Sequence, residues 1–304
     1  MYHRFGIPVF IIAMMMSASA LAQNYDFDDD LSDRDELKIT ALEALMSAPP
    51  ERALPAVRKV LEGDNSDEVK ESAMFILSQI ESDEAQALLL DMARNSEGEL
   101  REEAITMIGI SGDDDALEEL RTIYASGDED TREAVLEAYL IAYEPERVYE
   151  IAVAAADVEE FEMAVETLAA MGATEELRML KDSGGNAEAL VEAYAIAGDF
   201  ETLREMALDT SDEDTQIEAI GALGIIGNAE ANDTLMQMYR GTNDWDVKEA
   251  ALEGMMISGH DEGVLALYRE TDDLEEKQEL LEFLSYMGSD QLWDLVDEAL
   301  ENRR

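Results

Sequence analysis

Glu99-Leu100-Arg101-Glu102-Glu103-Ala104 has close copies at Glu68-Val69-Lys70-Glu71-Ser72-Ala73, Asp130-Thr131-Arg132-Glu133-Ala134-Val135 and Asp246-Val247-Lys248-Glu249-Ala250-Ala251. Each opens with an acid, then an aliphatic residue or Thr, then a base, then Glu. Lys70, Arg101 and Arg132 stand 31 residues apart, and Gln216 and Lys248 carry the series on at a spacing of 32. A fixed period in this range marks a stacked repeat protein, whose units bury their apolar faces only against one another.

Outward from these openings the chain reads as helix pairs. Ala104, Met107, Ile108 and Ile110 lie at helical spacing and predict a first helix. A turn follows at Gly112, Gly172, Gly198, Gly227, Gly259 and Gly288, where a glycine suits the left-handed helix end. Tyr143 and Glu81 take that place in the less regular repeats. The second helix has its own signature in Glu119-Leu120-Arg121, Glu176-Leu177-Arg178 and Thr202-Leu203-Arg204, with Glu118, Glu175 and Glu201 three residues before the arginines. That spacing predicts ion pairs within each helix. Ser96 with Glu99 and Ser211 with Asp214 read as capping boxes, and Thr242, Thr271 and Asp33 as N-caps. Acids such as Asp128-Glu129-Asp130 and Asp272-Asp273 gather at these starts, opposing the positive helix ends. The pairs predicted are 33–66, 67–96, 97–127, 128–157, 158–185, 186–211, 212–243, 244–271 and 272–304, nine in all. No segment alternates with period two, so an all-α solenoid over 33–304 is expected, with a hinge at Ser183-Gly184-Gly185-Asn186.

The acid–x–aliphatic–base–x–x–Ala opening, the mid-pair glycine and the aliphatic second helix resemble the HEAT-like repeat family, in the short form of about 30 residues named after bacterial phycobilisome lyases. The resemblance covers roughly 60–300 and is weakest over 131–211. It implies a right-handed α-solenoid whose second helices line a concave face used to hold a protein. It is nearly silent on activity. Two enzyme groups share such repeats. Nothing here marks a chromophore pocket of the bilin-lyase kind. Deoxyhypusine hydroxylase places His-Glu pairs on repeated helices to hold two irons, whereas after residue 22 this chain has the single histidine His260.

Residues 1–22 read as a cleavable leader: Arg4, an apolar run from Ile7 to Met16, and Ala20-Leu21-Ala22 as the cleavage site. The run is shorter than the roughly 20 residues of a membrane span. A mature chain from Gln23, periplasmic or secreted, is expected, with 23–32 as an acidic flexible linker. Asp26, Asp28 and Asp30 have calcium-loop spacing, but Leu31 and Leu37 stand where such a loop needs Gly and Glu. Cysteine is absent, which excludes disulfides, thiolate metal sites, a cysteine nucleophile and a lipid-anchoring cysteine.

The formal net charge is −52, from 73 acids against 21 bases, and loss of Arg4 with the leader makes it −53. Such a surface repels nucleic acid and anionic lipid. Adaptation to a salty exterior, attraction of a cationic partner and loose binding of divalent cations all fit. His260 follows Gly259 in a predicted turn and has no triad context. Phosphate-binding glycine loops are absent. No cofactor or metal is expected. Met236, Met238, Met255, Met256 and Met287 fall at helical spacing and read as core filler. Trp293 reads as packing against the terminal cap. Tyr124 and Tyr239 each fall 12 residues after a mid-pair glycine, Tyr268 sits similarly, and Arg240 and Arg269 follow two of them directly. Tyr and Arg are favoured interface anchors. If second helices line the groove, Tyr124, Tyr239, Arg240, Tyr268 and Arg269 form its contact row; packing between pairs is the other reading of the rings. The function expected is an exported, non-enzymatic scaffold that binds another protein. The alternatives are a carboxylate enzyme or enzyme subunit, and an acidic cation-binding protein.

Overall fold

The computed structural model describes residues 32–289 and 291–301, so the leader, almost all of the linker and the calcium-like spacing lie outside the described residues. Those residues fold into helices and no strand. They form two compact units, one ending at Glu144 and one beginning at Pro145. Unit one contains α1 (Asp33–Glu43) with a 3-10 turn over Ala44–Ser47, α2 (Pro50–Leu61), α3 (Asp67–Ser78), α4 (Asp83–Asn95), α5 (Glu99–Ser111), α6 (Asp114–Ser126) and α7 (Glu129–Ala142). Unit two contains α8 (Pro145–Ala154), α9 (Val158–Met171), α10 (Thr174–Asp182), α11 (Ala187–Ala197), α12 (Phe200–Leu208), α13 (Glu213–Ile226), α14 (Ala229–Gly241), α15 (Trp245–Ile257), α16 (Asp261–Glu270), α17 (Leu274–Met287) and α18 (Leu292–Glu301). Each unit is an all-α stack of helix pairs of the kind the repeat predicts, and the pair expected over 128–157 is divided between the units.

Odd-numbered helices are the first of each pair. In unit one α3, α5 and α7 pack side by side, and in unit two α9, α11, α13 and α15 do. Small residues set how near they come. A Cβ on Gly109 of α5 would lie 2.7 Å from the Ala138 backbone of α7, and one on Gly224 of α13 would lie 2.3 Å from the Gly254 carbonyl oxygen of α15. Alanine, leucine and isoleucine from both layers fill the interior, with Tyr139 and Tyr194 as its largest buried side chains. These two hydroxyls are satisfied by the preceding pair: Tyr139 donates to the Leu117 carbonyl and Tyr194 to that of Leu177.

The mid-pair glycines all have positive φ. Tyr143 does the same work at φ 57°, the one described non-glycine residue with positive φ. A left-handed residue other than glycine is strained by about 1 kcal/mol, and the Tyr143 side chain is exposed, so it returns little through packing. Tyr143→Gly should therefore raise the unfolding free energy by up to about 1 kcal/mol in denaturant melts; a loss would show that the ring holds the turn. Glu81 does not follow this pattern: α3 ends right-handed at Gln79.

Helix starts correct the expected caps. The cap of α5 is Gly98, not Ser96, whose carbonyl instead accepts from Arg101 Nε at 2.9 Å. Asp212, Asp244 and Asp273 cap α13, α15 and α17 in place of Ser211, Thr242 and Thr271, and Ser32 caps α1 in place of Asp33. At α13, α15 and α17 the capping carboxylate also opposes the positive helix end. The two threonines brace the turn instead, accepting from the amides of Asp244 and Asp273. The stretch 183–186 expected to act as a hinge lies within unit two, with Ser183, Gly184 and Asn186 exposed. The Gly185 amide donates to Leu180, and a Cβ at Gly185 would meet Phe161 at 3.0 Å. Trp293 is exposed rather than packed, because Leu295 is the α18 side chain that turns inward. No described helix is long and apolar enough to cross a membrane.

Candidate interaction surface

The second helices place Tyr124, Tyr239 and Tyr268 at one register of α6, α14 and α16, and the structure buries all three, leaving 5, 3 and 9% exposed. In this structure they are packing residues, not a row of rings open to a partner. The reason lies in the next pair. Arg132 stands over the Tyr124 ring at 5.8 Å, Lys248 over Tyr239 at 4.8 Å and Lys277 over Tyr268 at 5.2 Å. Arg132 and Lys248 are bases of the repeated opening. Each cation–ring contact joins one pair to the next. The signal was present in the sequence, since the base follows its tyrosine by 8 or 9 residues.

The last of these joints is also polar. Glu276 accepts from Lys248 Nζ at 2.6 Å, from Tyr239 Oη at 3.0 Å and from the Thr271 hydroxyl. Burial alone would raise its pKa, yet the hydrogen bonds from Lys248, Thr271 and Tyr239 hold its carboxyl below the usual range. Arg240 is exposed and makes a two-pronged pair with Glu270, at 2.9 and 2.8 Å. Arg58–Glu84 and Arg94–Glu119 repeat that bridge from one second helix to the next. Exposed pairs of this kind contribute about 0–1 kcal/mol each. Arg269 is exposed on α16.

The ion pairs expected within second helices hold for Arg204–Glu201 at 3.7 Å. Arg178 reaches instead to Asp199 at 2.7 Å and to the Thr202 hydroxyl, because Asp199 is buried at the start of α12 and demands a partner. Burial opposes ionisation of Asp199, but hydrogen bonds from Arg178 and Thr202 keep its pKa low. The pair thus stabilises the fold above the unfolded carboxyl pKa and loses that effect as pH falls below it. Arg178→Met should cost about 1–2 kcal/mol at neutral pH, read in urea melts; no cost would mean that solvent replaces the guanidinium.

The first helices carry the uncompensated charge. Glu71, Glu103 and Glu137 sit on adjacent α3, α5 and α7. Burial, followed by the charges of Glu71 and Glu137, pushes the Glu103 carboxyl up to about 7. In unit two, burial and the charge of Glu249 raise Glu253, and burial with Glu188, Asp214 and Asp212 raises Glu218.

An open depression of about 430 Å³ lies between Met256 and Met287, with Asp261 and Glu262 at its rim. Of the methionines expected to fill the core, Met255 is fully buried, while Met256 is exposed. His260 precedes α16, and its ring leaves no room for a Cβ on Gly263. Among the described residues no group of three or more His, Cys, Asp or Glu is placed to hold a metal ion.

A family model described as HEAT repeats matches residues 54–140 and 199–256. Among solved structures, the complex of CpcE and CpcF of phycocyanin lyase from Nostoc sp. PCC7120 is 15% identical over 79% of this chain and 97% of that one, with a TM-score of 0.35. Human deoxyhypusine hydroxylase in complex with glycerol is 17% identical over 75% of this chain and 98% of its own, at 0.32. An engineered protein is also 17% identical, over 77% and 98%, at 0.24. No curated protein sequence matches the chain significantly.

Proposed function

We propose that this chain, a protein of HEAT-like repeats, is a non-enzymatic scaffold of the bacterial cell envelope that holds a basic protein partner. HEAT repeats generally mediate protein–protein interaction. One observation carries the charge of the partner. Arg132, Lys248 and Lys277 lie over tyrosines, and Arg58, Arg94, Arg178 and Arg240 pair with acids of the following repeat. The bases are thus drawn into ties between pairs, while the first helices set carboxylates beside one another. A surface with that imbalance attracts cations over distance and speeds encounter with a basic partner.

Export rests on the leader read in residues 1–22. Fractionation followed by N-terminal sequencing tests it: the proposal expects Gln23 as the first residue, outside the cytoplasm, and an intact leader on a cytoplasmic chain contradicts it. Crosslinking in intact cells, at low and high salt, tests the scaffold. A dominant partner with a basic contact segment, captured less at high salt, is expected. A partner captured equally at both, or an acidic one, contradicts the charge argument.

A further inference from the structure

Two residues before the glycine that closes each first helix, unit two carries a large apolar side chain in four successive pairs: Ile196 on α11, Ile225 on α13, Ile257 on α15 and Tyr286 on α17. They are 53, 49, 57 and 70% exposed, and the Tyr286 hydroxyl donates to Glu282 at 2.7 Å. At that register in unit one, Ile110 and Ile141 are half-buried. Core residues of a solenoid are covered by the neighbouring pair, so four that stay bare at one register are not there for the core. Since α11, α13 and α15 pack side by side, their side chains line up across the helices. The helix α17 touches α15 only lightly, and an open depression with mostly polar walls lies between Met256 and Met287.

One helical turn earlier the same face is acidic. Glu192, Glu253 and Glu282 are exposed four residues before Ile196, Ile257 and Tyr286. On α13 that place belongs to Gly221, where a Cβ would meet nothing within 4 Å. The face is therefore an apolar row flanked by a carboxylate row, with one notch.

We infer that this face docks a basic amphipathic α-helix of a partner protein. Its apolar side chains lie on Ile196, Ile225, Ile257 and Tyr286, and its lysines or arginines meet Glu192, Glu253 and Glu282. The occupant follows from pitch and charge. Packed helices lie about 8–10 Å apart, and residues seven apart on one side of an α-helix are separated by about 10.5 Å. One apolar residue per heptad thus meets one side chain per pair. Same-face residues of an extended strand recur every 6.8 Å or so and fall out of step after one pair. An exposed apolar patch with a polar rim marks an interaction site, and laying an apolar helix face on such a patch is a common recognition mode. The inference rests on the scaffold reading and names its surface.

The test uses the whole mature protein and a fluorescent lysine–leucine peptide of about four heptads with leucines at the a and d positions. Anisotropy at physiological salt should show binding. A peptide of the same composition without the heptad pattern should bind about tenfold more weakly or worse. Ile225→Lys with Ile257→Lys should cost about tenfold with an unchanged melting temperature, since both side chains are exposed. If that variant unfolds, Glu192→Lys with Glu282→Lys serves in its place. Arg269→Ala on the second helix should leave binding unchanged. No binding, equal binding of the patterned and unpatterned peptides, or no loss in the row variants overturns the inference. If the peptide fails while a basic partner is still captured in cells, this surface is wrong and the scaffold stands. If the peptide binds the row but cells yield no partner, the scaffold reading falls.

Discussion

Gly224→Ala should destabilise unit two by about 3 kcal/mol. The added Cβ would lie 2.3 Å from the Gly254 carbonyl oxygen and 2.6 Å from its Cα. Both contacts are backbone, so no flexible side chain can yield. The helices α13 and α15 must move apart, which opens the interface around Ile220, Leu223 and Ala251, all fully buried. Gly221, three residues earlier on the same helix, supplies the control. Its Cβ meets nothing, so Gly221→Ala should stabilise by up to about 1 kcal/mol through helix propensity alone. Urea melts of the two variants should shift in opposite directions. Equal shifts would mean that the close approach of α13 and α15 does not set the repeat spacing.

Glu103→Gln should make the fold more stable at pH 8 and leave it unchanged near pH 4. The carboxyl titrates at about 7 in the folded chain, against an ordinary value of 4.5. Between those values the folded state binds a proton that the unfolded state does not. Stability is therefore fully present below the unfolded pKa and declines as pH rises through the folded one. At about 1.4 kcal/mol per pKa unit, the full shift sets an upper bound near 3 kcal/mol, and the partial exposure of Glu103 reduces the expected gain to about 1–2 kcal/mol. Glutamine keeps the shape and removes the charge that Glu71 and Glu137 repel. Melts at pH 8 and pH 4 should separate the variant from the parent only at pH 8. A gain of the same size at both pH values would trace it to packing instead.

The repeat made the pairs legible because stacked pairs repeat their local chemistry: the acid–base opening, the glycine with positive φ and the acids at helix starts recur along the chain, with Tyr143 and Gln79 as the departures. The interaction surface was less legible, for a physical reason. Tyr124, Tyr239 and Tyr268 have the composition of contact residues, and only the base arriving from the next pair shows that their rings are covered. Ser211, Thr242 and Thr271 have the composition of caps, and the aspartate one or two residues later takes the position in each case. Ile196, Ile225, Ile257 and Tyr286 are apolar and at helical spacing, so periodicity alone files them with the core. Their exposure depends on which neighbouring helix covers that register, which the periodicity of a single helix does not encode.

The most direct test of the scaffold account places a photo-crosslinking side chain at Ile225 of α13, and separately at Arg240 of α14, in the protein expressed in its own cells. The account predicts one dominant adduct from position 225, mapping to a basic amphipathic segment of the partner, and little from position 240. An adduct from position 240 alone, or none from either, would contradict it.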